Sequence, residues 1–293
     1  MGEDVELVGL YWTVSGPVEV HFGREWSYFS WEDRCAEAEK VGFAGLGIWH
    51  ADLEHVLESQ TLQDMRRSMD DHGLRYLELE FLMHWWLDPS DDRRKESDRI
   101  RRLLFEAAEV LPAHHIKVGN IPGDPVEFGR LTESFAELCA DAAKHTDATV
   151  AYEFMPFDVN VRDLETAVKL VEDAGAPNGG LAIDTWHLEK LRIPPEGLKV
   201  VPRERLAWIE LSDGKKEWMA DDDHVDEVIN HRNLPGEGEF DIPGYVRAAQ
   251  EIGYPGPWGV EVLSEELRNN PIDVIFRRAY DTTAAQFLER SPR

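Results

Sequence analysis

The chain has 293 residues, 42% of them hydrophobic, enough to bury a sizeable core in one large domain or two ordinary ones, which excludes a disordered chain. Its 58 acids against 31 bases give a formal charge of −27, which argues against nucleic acid or an anionic membrane as partner, because both require basic surface. An enzyme that binds a cation and a neutral small molecule suits that balance. Cys35 and Cys139, the only cysteines, fall at apolar positions of helical segments and read as buried free thiols in a reducing cytoplasm. No apolar run approaches the roughly 18 residues a spanning helix needs, and no signal-peptide pattern is present.

In chain order, the first strand is expected over 7–12. Ser30 and Asp33 then start a helix that runs to Lys40 and ends at Gly42. Residues 43–49 read as the second strand, with His50 and Asp52 just past its end. Helical spacing follows from Leu57 to Met69, and the third strand is expected over 74–82. Here Leu77, Leu79 and Phe81 alternate with Glu78 and Glu80, the pattern of a half-exposed strand, although one of the two acids could line a central bowl. A charged loop over 88–98 leads to a helix over 100–111. The fourth strand is expected at 116–119, the next helix at 133–145, the fifth strand at 149–154, and a helix at 163–174 closed by Gly175. The sixth strand, Gly180-Leu-Ala-Ile-Asp184, is followed by Thr-Trp-His187. The seventh is 206–211. A long polar segment, about 212–241, precedes a helix over 243–252. An eighth strand at 258–263 and a final helix at 272–288 complete the chain.

Eight short apolar runs alternating with helices predict parallel βα units, and eight such units point to a closed (β/α)8 TIM barrel of the α/β class, a single domain over 1–293. An open doubly wound sheet would call for a Gly-rich phosphate loop after the first strand, and Gly9-Leu-Tyr-Trp is not one. The 212–241 segment is long enough to read as a lid.

Four consecutive apolar runs end in acids: Glu153, Asp184, Glu210 and Glu261. In a barrel all strand C-termini converge on one face, so these four carboxylates are expected to point into one bowl. Four such groups cannot all stay ionised without a cation, because like charges raise one another's pKa. A divalent metal resolves that conflict, and all-oxygen ligation favours Mg2+ or Mn2+. His187, one turn past Asp184, can reach substrate oxygens, and Arg232 on the lid can donate bidentately to a hydroxyl or carbonyl. His50, His84 and His115 read as rim or structural histidines, and His50 is carried as a substrate-binding candidate.

With these residues in view, the chain resembles the xylose isomerase-like TIM barrel superfamily of sugar isomerases and epimerases. The likeness rests on Tyr-Glu-Phe at 152–154, Leu-Ala-Ile-Asp-Thr-Trp-His at 181–187, Glu-Leu-Ser-Asp at 210–213, Arg-Asn-Leu-Pro-Gly-Glu-Gly-Glu-Phe-Asp at 232–241 and Gly-Tyr-Pro-Gly-Pro-Trp-Gly-Val-Glu-Val at 253–262. It implies a metal held by Glu153, Asp184 and Glu261. The family's usual fourth ligand is a histidine three residues before an Asp; this chain has Glu210 there, before Asp213. The resemblance also implies that Glu153 and Glu261 form the acid/base pair moving a proton beside the carbonyl of a keto-sugar or related polyol. His187 and Arg232 would bind substrate. Trp12, Trp49, Trp85, Trp86 and Trp186 are candidates to wall the bowl and stack on a sugar ring, with a core role as the alternative. The same scaffold also supports a lyase, inosose dehydratase-like, a non-catalytic sugar-binding relic, or an endonuclease, which the charge disfavours. A homodimer is the oligomer such barrels frequently form.

Overall fold

A computed structural model describes residues 5–20, 23–121, 125–219 and 224–288. Eight parallel strands close on themselves in sequence order: β1 Leu7–Gly9, β2 Gly45–Trp49, β3 Tyr76–Leu82, β4 Ala113–Gly119, β5 Thr149–Glu153, β6 Gly179–Asp184, β7 Leu206–Leu211 and β8 Trp258–Val260. The ring closes where Leu7, Val8 and Gly9 pair with Trp258, Gly259 and Val260. Long helices cover the outside: α1 Trp31–Val41, α2 Leu62–Asp71, α3 Asp92–Val110, α4 Phe128–Ala142, α5 Leu164–Ala174, α6 Ile242–Ile252 and α7 Ile272–Ala284. Between β6 and β7 the chain uses only the short helix Thr185–Lys190 and two 3-10 turns.

Local chemistry sets several of these boundaries. The Ser30 hydroxyl accepts from the Asp33 amide at the start of α1, and Gly42, at φ 103°, ends it. Asp163 caps α5 by accepting from Thr166, and Gly175, at φ 62°, stops it. Cys35 in α1 and Cys139 in α4 are buried free thiols, pushed up to about 12 by burial. No helix among the described residues is long and apolar enough to cross a membrane.

The expected elements are present with shifted ends. The first strand stops at Gly9 and Tyr11–Val14 turns into a short helix. The helix expected over 57–69 is two, His50–Leu57 and α2, because Thr61 and Asp64 form a capping box that begins a new one. Most of the charged stretch over 88–98 is helical: Asp91 caps α3, and Arg94 pairs with Asp98 one turn on at 2.8 Å. The eighth strand ends at Val260, so Glu261 stands one residue past it.

The largest correction concerns β3. Its alternation separates two buried faces: Leu77 and Leu79 pack under the outer helices, while Glu78 and Glu80, each 1% exposed, point into the barrel. Period two marks which side a residue faces, and in a barrel the inner side is not water. His115, expected near a strand end, lies within β4. The inside of the barrel thus has an apolar plug of Val8, Leu10, Ala151, Ala182 and Trp208, with charged groups above it. Trp208 occupies that space because Gly259 opposite has no side chain; a Cβ there would stand 2.9 Å from its indole nitrogen.

Candidate active site

Glu153 ends β5, Asp184 ends β6, Glu210 is the penultimate residue of β7, and Glu261 follows β8. Asp184 pairs in register with Glu210 across β6 and β7. One carboxylate oxygen from each of the four lies within 4.8 Å of the others, so the strand-end acids do share one bowl. None is more than 4% exposed. His187 joins this group from the helix after β6, its Nδ1 3.4 Å from Glu153 Oε1 and its Nε2 3.8 Å from Asp184 Oδ2. Burial, with Arg232 and Lys117 nearby, pulls its pKa well down, so the imidazole is neutral.

At the base of this bowl stands a group that the sequence reading passed over. Lys117 Nζ on β4 lies 2.6 Å from Glu261 Oε1, 3.0 Å from Glu210 Oε1, 3.1 Å from Glu80 Oε2 and 3.4 Å from Glu78 Oε1. Below it, His115 Nε2 meets the other Glu78 oxygen at 2.8 Å, with its ring centroid 4.5 Å from that of Trp208. A signal was present. A lysine between Ile116 and Val118, inside a strand bounded by apolar residues, is a buried charge unless the strand is an edge, and a closed barrel has no edge.

The interior therefore collects six buried acids (Glu78, Glu80, Glu153, Asp184, Glu210, Glu261) against two buried cations, Lys117 and Arg232. Were all six ionised, four negative charges would stand uncompensated, which a low-dielectric interior does not tolerate. The pKa values show the conflict. Burial pushes Glu80, Glu153 and Glu210 well above the carboxylate range. It raises Asp184 to about 6 although Arg232 opposes it. Glu78 goes the other way, because the Lys117 ammonium and the His115 hydrogen bond outweigh its burial and hold it at about 2. A divalent cation would discharge the same excess. The donor set suits one: four carboxylates with convergent oxygens and a neutral imidazole beside two of them.

In the segment expected as a lid, Asp213 accepts from the amides of Gly214, Gly236 and Phe240 at 2.7, 2.9 and 3.0 Å. This clamp delivers Arg232, whose Nη1 reaches Asp184 Oδ2 at 2.6 Å and Glu261 Oε2 at 3.4 Å. Gly238 packs against the clamp so tightly that a Cβ would stand 2.1 Å from Asp213 Oδ1 and 2.5 Å from the Gly214 nitrogen. Gly238→Ala is expected to open the clamp and cost about 1–3 kcal/mol, with accelerated proteolysis confined to 212–241; unchanged proteolysis would remove the clamp's role.

The other candidates divide by position. His187, Arg232, Trp12 and Trp49 line a cavity of about 220 Å3 above the acids. Trp186 is fully buried behind it, edge-on to Trp218 and beneath the Arg232 guanidinium. Trp85 and Trp86 belong to the core between strands and helices. His50 lies outside the cavity lining, against the Trp49 ring, with its pKa lowered to about 4 by burial.

A model of the xylose isomerase-like TIM barrel family matches residues 35–284. The chain is similar to a 3-dehydroshikimate dehydratase of Pseudomonas aeruginosa, 28% identical over 238 residues, which are 79% of this chain and 36% of that protein. The chain thus spans little more than a third of that relative's length. An inosose isomerase of Bacillus velezensis is 22% identical over 255 residues, covering 84% of this chain and 88% of that one. Among solved structures, the IOLI protein with a bound zinc atom superposes at a TM-score of 0.78 over 96% of this chain and 98% of its own, at 18% identity.

Proposed function

This chain is a member of the xylose isomerase-like TIM barrel family, and from that premise we propose that it is a divalent-metal-dependent isomerase or epimerase. Its reaction would move a proton beside the carbonyl of a keto-sugar or related polyol through an enediolate. The observation that carries this reading is the convergence of Glu153, Asp184, Glu210 and Glu261 on one point at the floor of a cavity that Glu153 and Glu261 line. Glu153, Asp184 and Glu261 would hold the metal, with Glu210 shared between it and Lys117. Bound there, the metal supplies charge that polarises a carbonyl and stabilises developing negative charge on oxygen. The oxygen donors favour Mn2+ or Mg2+.

Glu153 and Glu261 come from strands three apart and reach the cavity from different sides, so one can take a proton from a substrate carbon while the other returns one. Burial makes Glu153 a stronger base than a solvated carboxylate, the direction such chemistry requires. His187, neutral, can accept from or donate to a substrate oxygen without adding charge. The lid, with Arg232 drawn over the acids, limits water at the reacting carbon. The −27 charge is consistent with a neutral small-molecule substrate and with no nucleic-acid partner.

A lyase is the second reading, because a named dehydratase is similar over 79% of this chain. Both reactions begin with the same proton abstraction. Incubation with ketoses and keto-inositols in D2O, followed by NMR, separates them. An epimerase places deuterium at one carbon, in a manner dependent on added Mn2+. A lyase loses water and develops a new double-bond absorbance. Neither change, together with failure to retain Mn2+ on dialysis, would overturn the enzymatic reading in favour of a binding relic.

A further inference from the structure

Among the described lining residues of the cavity the polar groups are confined almost entirely to its floor, where Lys117 and Arg232 are already committed to acids. The walls are different. Trp12, Trp49, Phe81, Met155, Phe157 and Leu263 face the space from the barrel's mouth. Trp49 and Phe81 lie nearly parallel, 12° apart with centroids separated by 6.3 Å, and Trp12 leans on Trp49 at 4.9 Å. These side chains form an apolar cluster of their own, distinct from the core under the helices. The helix His224–Asn230 borders the same space with Val225, Val228 and Ile229. Its polar contribution to the described lining, His224, has its ring tilted 38° to that of Trp218 with centroids 4.0 Å apart.

A free ketose carries a hydroxyl on nearly every carbon. Two or three of these could meet the acids and His187, but the remainder would face indole, phenyl and thioether surface. A buried hydroxyl without a partner weakens binding by roughly tenfold or more. A flat unsaturated ring has the opposite balance, because it gains from apolar burial and from stacking on Trp and Phe. Among the described lining residues neither Lys117 nor Arg232 is free of a carboxylate, so nothing there recommends an anionic substrate.

We propose that this site takes a neutral hydroxy ketone, free or within a sugar ring, that carries an aryl or similarly flat apolar substituent. The substituent lies between the Trp49–Phe81 wall and the helix His224–Asn230, and the oxygenated end rests on Glu153, Glu261 and His187. The assignment rests on the reading of Glu153 and Glu261 as the proton-moving pair.

The test is calorimetric binding to the full chain loaded with Mn2+, using 2-hydroxyacetophenone, dihydroxyacetone and D-fructose as probes. The aryl hydroxy ketone is expected to bind at least tenfold more tightly than either of the others, about 1.4 kcal/mol. Phe157→Asn, at a half-buried wall position, is expected to reduce that preference at least threefold while Mn2+ affinity stays within twofold. D-fructose binding as tightly as the aryl probe would overturn the proposal, as would an aryl probe that gives no heat. Proton exchange at the probe's hydroxymethyl carbon in D2O is measured alongside. Tight aryl binding without exchange upholds the substrate class and counts against the proton-moving pair. Exchange into D-fructose with weak aryl binding does the reverse.

Discussion

Lys117→Met is expected to destabilise the metal-free protein by about 3–5 kcal/mol, the cost of removing one partner from a buried ionic cluster. For a chain of this size that corresponds to a fall in Tm of about 5–8 °C. The reason is geometric. The ammonium lies within 3.4 Å of oxygens from Glu78, Glu80, Glu210 and Glu261, all of them buried. Methionine fills the same volume but leaves those four acids to neutralise themselves by protonation. Two further measurements separate charge compensation from simple loss of packing. Added Mn2+ should raise Tm more in the variant than in the parent, because a cation that binds only the folded state stabilises it, and the variant has more unbalanced charge to offer. The double variant Lys117→Met/Glu210→Gln should recover part of the loss, since it also removes one of the acids crowded around the lost ammonium. A Lys117→Met protein within 1 kcal/mol of the parent would show that the ammonium balances nothing.

Glu153→Gln is expected to lower the rate of substrate proton exchange by about 10²–10⁴-fold, the usual worth of a positioned general base. Glutamine keeps the shape and one oxygen donor but neither takes a proton nor carries charge. Folding should not suffer. Burial, with Glu261 and Asp184 adding to it, holds the Glu153 pKa well up despite Lys117, so the ionised side chain is a liability to the folded state in the absence of metal. The variant should therefore melt no lower than the parent without metal, while its Mn2+ affinity falls. Exchange measured by NMR under saturating Mn2+ checks the first point and calorimetry the second. A variant retaining more than a tenth of the parent rate would exclude Glu153 as the base and direct attention to Glu261, tested by the corresponding Gln.

Glu153 and Lys117 differ in how far the sequence alone reveals them. Glu153, Asp184, Glu210 and Glu261 were readable because each ends an apolar run, and a closed parallel sheet has one C-terminal face on which such ends must meet. The order of the strands, the caps at Ser30 and Asp163 and the stops at Gly42 and Gly175 are equally local facts, written in side chains that hydrogen-bond or bend their own neighbourhood. For Lys117 the sequence signals burial but not its partners, and for Glu78 and Glu80 it does not decide which side they face. Alternation gives each strand two faces, and only closure of the sheet decides that the charged face of β3 is turned inward, toward the single lysine of β4. Trp186 and Trp49 show the same limit, since both stand at strand ends and one lies behind the site while the other lines it. Sequence spacing thus determined the barrel and the acids that gather near the ends of four of its strands. Which charges meet inside it, and how apolar the walls above them are, depends on contacts between residues far apart in the chain, and those only the closed tertiary structure decides.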